Sequence, residues 1–228
     1  MIDGLLEALR LLITFDKEIY EIIFLSLGVS LTATIIGGVI GVTLGITLGV
    51  TNFRGRKLVM KIIFTLMGIP PVVLGLFVLL LIMNDGPLGS LNLLFSRSAM
   101  VIAQTLLVIP IVTGNIIITS KATTKEVIKT AKTLGASRIE IIKLVICESK
   151  PFIFISMVLG FSRAISEVGA VMLVGGNIAG KTRVMTSYIA LTNSMGEFET
   201  SIAIGLILLT ISFLIYSIVG RVRGDFYD

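Results

Sequence analysis

Five apolar runs govern what this chain can fold into: residues 22–50, 58–83, 99–119, 151–173 and 202–219. About 20 helical residues cross the hydrocarbon layer of a bilayer, and each run reaches or nearly reaches that length. A backbone in hydrocarbon must satisfy its own N–H and C=O groups, so the runs predict helices and an all-α membrane protein of about five spans. With 55% hydrophobic and 14% charged residues in 228, nothing outside the runs is long enough for a sizeable soluble domain. Residues 1–228 are therefore expected to form a single transmembrane domain in the cell membrane.

The residues that are missing narrow the chemistry. The chain has no His and one Cys, Cys147. That excludes imidazole acid–base catalysis, His-ligated metals, CxxC redox pairs and an intrachain disulfide. No metal site and no cluster of nucleophile and base is evident, so an enzyme is not expected. The net charge of +5 does not indicate nucleic acid, because Lys and Arg lie beside the apolar runs. Thirteen of them fall between runs one and two or in the first turn of run two, between runs three and four, or after run five, against five on the other side. The positive-inside rule then puts the N-terminus outside and the C-terminus in the cytoplasm. Ahead of the first run, Leu5, Leu6, Leu9, Leu12 and Ile13 recur at helical spacing among Asp3, Glu7 and Arg10, which predicts an interfacial helix within residues 1–21 rather than a cleavable signal.

Within the runs, Gly37, Gly41, Gly45 and Gly49 fall at four-residue intervals and form one side-chain-free helical face, suited to close packing by another helix. Pro70 and Pro71 interrupt the second run and Pro110 the third, so each is expected to bend or unwind there, as a hinge or gate would. Arg163 and Glu167, four residues apart in the fourth run, can pair on one face, as a structural ion pair or as part of a translocation path. Ser30, Thr32, Thr34, Thr43, Thr65, Gln104, Thr113, Asn115 and Ser166 add weak hydrogen-bond donors, although such side chains often bond to their own backbone. Residues 175–182, GGNIAGKT, match the phosphate-loop pattern in form. They follow a membrane run instead of a buried strand and are expected on the outer side, so no nucleotide site is expected.

Residues 121–150 are polar and basic. Thr123 with Glu126 can cap a helix carrying Val127, Ile128, Ala131 and Leu134 on one face, and Gly135 suits a left-handed C-terminal cap. Ser137 with Glu140 can cap a second helix carrying Ile141, Ile142, Leu144 and Val145. Such a hairpin is too small to fold alone and should dock on something.

This segment resembles the cytoplasmic coupling loop of ABC importer permeases, whose pattern is E-A-A, three residues, Gly, nine residues, I-x-L-P. Laid on Gly135, the E-A-A positions are Lys129, Thr130 and Ala131, and the later ones are Val145, Cys147 and Glu148; the acidic first residue and the Leu-Pro ending are absent. With TAKTLGAS at 130–137 and ISEVGAVMLVGGNIAGKTRVMTSYIA at 165–190, the chain looks like the molybdate/tungstate permease group, most like its tungstate branch, over roughly residues 24–220.

The resemblance implies a type I ABC importer permease fold. It also implies a second copy completing the pathway, a cytoplasmic ATPase dimer that holds the ATP and Mg, and an extracellular or periplasmic binding protein that delivers the oxyanion. Lys129, Thr130, Ala131, Leu134, Gly135, Ala136, Ser137 and Glu140 would then couple to the ATPase. No cofactor is implied for this chain. Tungstate, molybdate and sulfate are alternative cargoes. A stand-alone secondary transporter or channel is the competing class, against which stand the single paired Glu167, the lack of an intramembrane Asp and the lack of an evident inverted repeat.

Overall fold

The computed structural model describes Thr14 and residues 16–224. The expected interfacial helix lies outside the described residues as far as Ile13, and Lys17–Glu21 belong to the first long helix instead. All regular structure among the described residues is helical. In chain order the helices are α1 (Lys17–Val50), α2 (Arg56–Met67), α3 (Pro71–Ile82), α4 (Arg97–Thr133), α5 (Arg138–Glu148), α6 (Lys150–Ile165), α7 (Gly169–Gly175), α8 (Met185–Met195) and α9 (Phe198–Gly224), with a 3-10 turn at Gly89–Leu91.

The centre of the bundle is α4, which packs against α1, α2, α3, α5, α6 and α7. Its tightest seam is with α1. A Cβ at Gly37 would stand 3.0 Å from Val108 Cβ, one at Gly41 2.9 Å from Val112 Cβ, and one at Gly45 2.9 Å from Ile116 Cβ. The four-residue period of the glycines is thus matched by a four-residue period of β-branched residues on α4, ridge against groove. Each hypothetical Cβ would also press on an α4 carbonyl at 3.1 Å, which explains why glycine is needed and alanine would not do. Gly49, one turn further on, is half-buried.

Two pairs of consecutive helices are sharply bent. The helices α2 and α3 meet at 104° across Gly68–Pro70, and α5 and α6 meet at 64° at Ser149. Pro71 holds Pro70 in an extended conformation (φ −61°, ψ 125°), so the helix cannot run through, and α3 restarts with proline in its first turn. The new direction of α3 is set by contact with α7: a Cβ at Gly75 would lie 2.5 Å from Ala170 Cα, and one at Gly169 would strike the Val72 side chain.

Elsewhere the structure corrects the sequence-based expectation. Pro110 does not interrupt its run: α4 is a single helix of 37 residues that continues past 119 to Thr133. The proline removes one donor, yet Val108 and Val112 on either side are fully buried, so packing outweighs the missing bond. The fourth run is not one helix to 173 but ends at Ile165, with α7 beyond a short break. The helix α8 falls in a stretch where no span was expected.

The ends of the bundle are distinct. At one end, Arg183 Nη1 pairs with Glu18 Oε1 at 2.8 Å and Arg97 Nε donates to the Lys181 carbonyl at 3.1 Å, gathering the starts of α1 and α4 beside the 175–184 loop. At the other end, Ile46 near the end of α1 clusters with Ala131, Ile141 and Val145 of the 127–148 hairpin.

Candidate functional site

The 127–148 hairpin is built by local chemistry. Thr133 ends α4, and Gly135 takes the left-handed conformation (φ 77°). Its N–H donates to the Lys132 carbonyl at 3.1 Å, and the Ala136 N–H to the Ala131 carbonyl at 3.0 Å, the paired bonds of a Schellman turn. One residue later Ser137 opens α5 with a reciprocal cap: the Glu140 N–H donates to Ser137 Oγ at 3.4 Å and the Ser137 N–H to Glu140 Oε2 at 2.7 Å. These Ser137 hydrogen bonds hold the Glu140 carboxyl below its ordinary value. The cap expected at Thr123 and Glu126 starts no helix, because α4 runs unbroken through those positions and the N–H groups there find carbonyls in the preceding turn.

Inside the hairpin Ala131, Ile141 and Val145 are buried against α1 and α4, with Val127 and Ile128 packed beside them. Its outer surface is apolar where it turns. Leu134 is 82% exposed and Ile139 68%. Between the two arms is an open cavity of about 270 Å³ lined by Val127, Thr130, Ala131, Leu134, Leu144 and Glu148. Lys129 and Thr130 are exposed beside it. Ile139 escaped the sequence reading because it lies off the face formed by Ile141 and Val145; its signal was position alone, one turn of chain past Gly135.

The second candidate is the break between α6 and α7. Glu167 belongs to this break rather than to a helix, and it is 3% exposed. Arg163 Nη1 pairs with Glu167 Oε2 at 2.8 Å, while the Ala170 N–H donates to Glu167 Oε1 at 3.0 Å, so one carboxylate closes α6 and opens α7. The Glu167 carbonyl accepts from Thr186 Oγ1 at 2.8 Å, and Gln104 Nε2 of α4 donates to the Ala164 carbonyl at 2.9 Å. Arg163 and Glu167 meet as expected, but the bend in the chain and its cap were missed. A carboxylate three residues ahead of a helical N–H was the available signal.

The span hydroxyls are largely occupied by their own helices. Thr32, Thr34, Thr43, Thr65 and Thr113 each donate to the carbonyl four residues back, as does Ser166. Ser30 is buried and Asn115 half-buried.

The 175–182 loop has no free cradle for a phosphate. The N–H groups of Lys181, Thr182 and Arg183 all donate to the Ile178 carbonyl, at 3.1, 2.9 and 3.0 Å. Thr182 Oγ1 accepts from the Ile178 N–H and donates to the Gly175 carbonyl. A phosphate loop would aim those amides at its ligand and would run directly into a helix after a strand.

These geometries have known counterparts. Residues 41–224 match the family model described as the binding-protein-dependent transport system inner membrane component. The chain belongs to that permease family. The chain is 48% identical over 223 residues to the tungstate uptake system permease protein TupB of Peptoclostridium acidaminophilum, covering 98% of each chain. It is 36% identical to the protein of the same name from Campylobacter jejuni, covering 97% of this chain and 92% of that one. In fold it matches a chain of the inward-facing MetNI methionine ABC transporter, with TM-score 0.76 and 14% identity, over 93% of this chain and 97% of that one. As a permease of this family, the protein is an all-helical component of the inner cell membrane with a type I importer fold, and it is not an enzyme.

Proposed function

We propose that this protein is the membrane-spanning subunit of an ATP-driven importer whose cargo is an oxyanion, tungstate ahead of molybdate and sulfate. The observation that carries this reading is likeness over the full length to a tungstate uptake permease, with 98% of both chains aligned. In this reading two copies enclose the path, the N-terminus and the 175–184 loop face outward, and the basic hairpin faces the cytoplasm. Pro70 and Pro71 form one flexible joint of the second span. The exposed tip of Leu134 and Ile139, held in place by the Gly135 turn and the Ser137 cap, fits a groove on each ATPase, where ATP and Mg bind. A soluble binding protein delivers the anion from outside.

The test is reconstitution in liposomes with the partner ATPase and binding protein, measuring uptake of tungstate, molybdate and sulfate with and without ATP. Uptake that requires ATP and follows the order tungstate, molybdate, sulfate is expected. Equal uptake without ATP would make the protein a stand-alone transporter, and a preference for sulfate would overturn the cargo.

A further inference from the structure

Arg163 stands 13 residues beyond Lys150, where α6 begins, and 12 before Gly175, where α7 ends. At about 1.5 Å per helical residue it is roughly 20 Å from the start of α6, inside a hydrocarbon layer of about 30 Å. Despite that depth its side chain is 31% exposed. Its carboxylate partner is not: Glu167 is buried, with one oxygen on Arg163 and the other on the Ala170 N–H. The pair is neutral as a whole, but its negative end is sealed inside the protein and its positive end is presented at the surface. Around it Ser166 is exposed and Ser162 half-exposed, one helical turn apart on the same face.

A guanidinium is not left against acyl chains, since even the mildest insertion scales penalise it strongly. In an importer of two copies, such a patch belongs at the water-filled path rather than against lipid. The guanidinium meets Glu167 through Nη1, whereas the group has five donors in a planar fork that fits the oxygens of a tetrahedral anion. The hydroxyl of Ser166 is turned back to its own helix, so the cation is the strongest donor on offer.

We propose that Arg163 is the residue in the membrane that contacts the passing oxyanion, and that Glu167 is a positioning residue that aims it at the path. The proposal rests on the reading of the chain as an oxyanion importer and adds a charge-selective point to it. Because the guanidinium remains tied to Glu167, its field attracts a dianion without the deep trap that an unpaired cation would create.

The test places a reporter beside Arg163 in the assembled transporter, as Ser166→Cys in a Cys147→Ser background. Two water-soluble thiosulfonates of similar size, one carrying a sulfonate and one a trimethylammonium, are each normalised to their rate with a small free thiol. The sulfonate should react faster by on the order of tenfold, the ratio expected from one nearby cation in a partly wetted site. Arg163→Lys should keep the preference. The double variant Arg163→Gln with Glu167→Gln, which leaves no unpaired charge to endanger folding, should bring the ratio to about one. Tungstate should slow the sulfonate reaction. Failure of both reagents to react, or a ratio indifferent to Arg163, overturns the proposal. If the charge preference stands but sulfate protects and tungstate does not, Arg163 keeps its role and the tungstate reading fails.

Discussion

Gly135→Val separates the fold from the proposed coupling function. Gly135 has φ 77°, and a Cβ added there would meet nothing within 4 Å. The substitution therefore creates no clash; its cost is the left-handed backbone, about 1–2 kcal/mol for a residue with a Cβ. At about 1.4 kcal/mol per factor of ten, the hairpin should leave its Schellman turn about fivefold to thirtyfold more often. The buried seams of α4 with α1 and α6 do not involve the turn, so insertion and thermal stability should change little. Gly196→Val is the matched control. Gly196 has φ 81° and equally open surroundings, but lies between α8 and α9, whose residues Met185 and Ile204 cluster with Ile19 and Ile22 at the opposite end of the bundle. Co-purification of the ATPase and substrate-stimulated ATP hydrolysis should fall together in Gly135→Val and be retained in Gly196→Val. Equal behaviour of the two variants would show that strain alone explains the loss, and normal coupling in Gly135→Val would refute the docking assignment.

Gly41→Leu should lower the yield of folded protein and its melting temperature in detergent far more than Gly28→Leu, because a Cβ at Gly41 already meets Val112 at 2.9 Å while one at Gly28 meets nothing within 4 Å; equal losses would refute the seam. The Ser137–Glu140 cap should respond to acid: the folded carboxyl is held below its ordinary value near 4.5, so the cap contributes fully above that value and is lost as pH falls through the lowered one. Amide exchange in the first turn of α5, corrected for intrinsic rates, should therefore rise at low pH, and Glu140→Gln should raise it already at pH 7 and remove the acid dependence. In a Cys147→Ser background, Lys181→Cys should react with an impermeant thiol reagent on intact cells; labelling only after lysis would reverse the topology.

How much the sequence revealed depends on the range of the forces involved. The Gly135 turn and the Ser137 cap were legible because each is completed within about five residues by side chains or backbone next to it. The apolar runs were legible because a bilayer leaves helices little alternative. What escaped was decided by distant partners. Two prolines announce a break at residue 70, but the 104° turn is settled by the approach of Gly75 to Ala170. Pro110 would end a helix in isolation, and Thr123 with Glu126 would start one; both signals lose to the packing and the continuous backbone of α4. Glu167 was read as a helical partner of Arg163 because spacing alone cannot distinguish a helix from the capped break that follows it.

The unbroken α4 has a mechanical consequence. A helix of 37 residues is about 55 Å long at 1.5 Å per residue, nearly twice the ~30 Å of hydrocarbon it crosses. Its first turn is tied through Arg97 to the Lys181 carbonyl, and its last turn forms one arm of the hairpin. In the proposed importer, motion imposed at the hairpin acts on a continuous helix: a tilt of about 5° about its midpoint displaces each end by roughly 2.4 Å in opposite directions, given that length. The second span, by contrast, turns a corner of 104° beside it. The importer reading thus gives the long continuous helix the part of a beam across the bilayer, set beside a second span that turns through 104°.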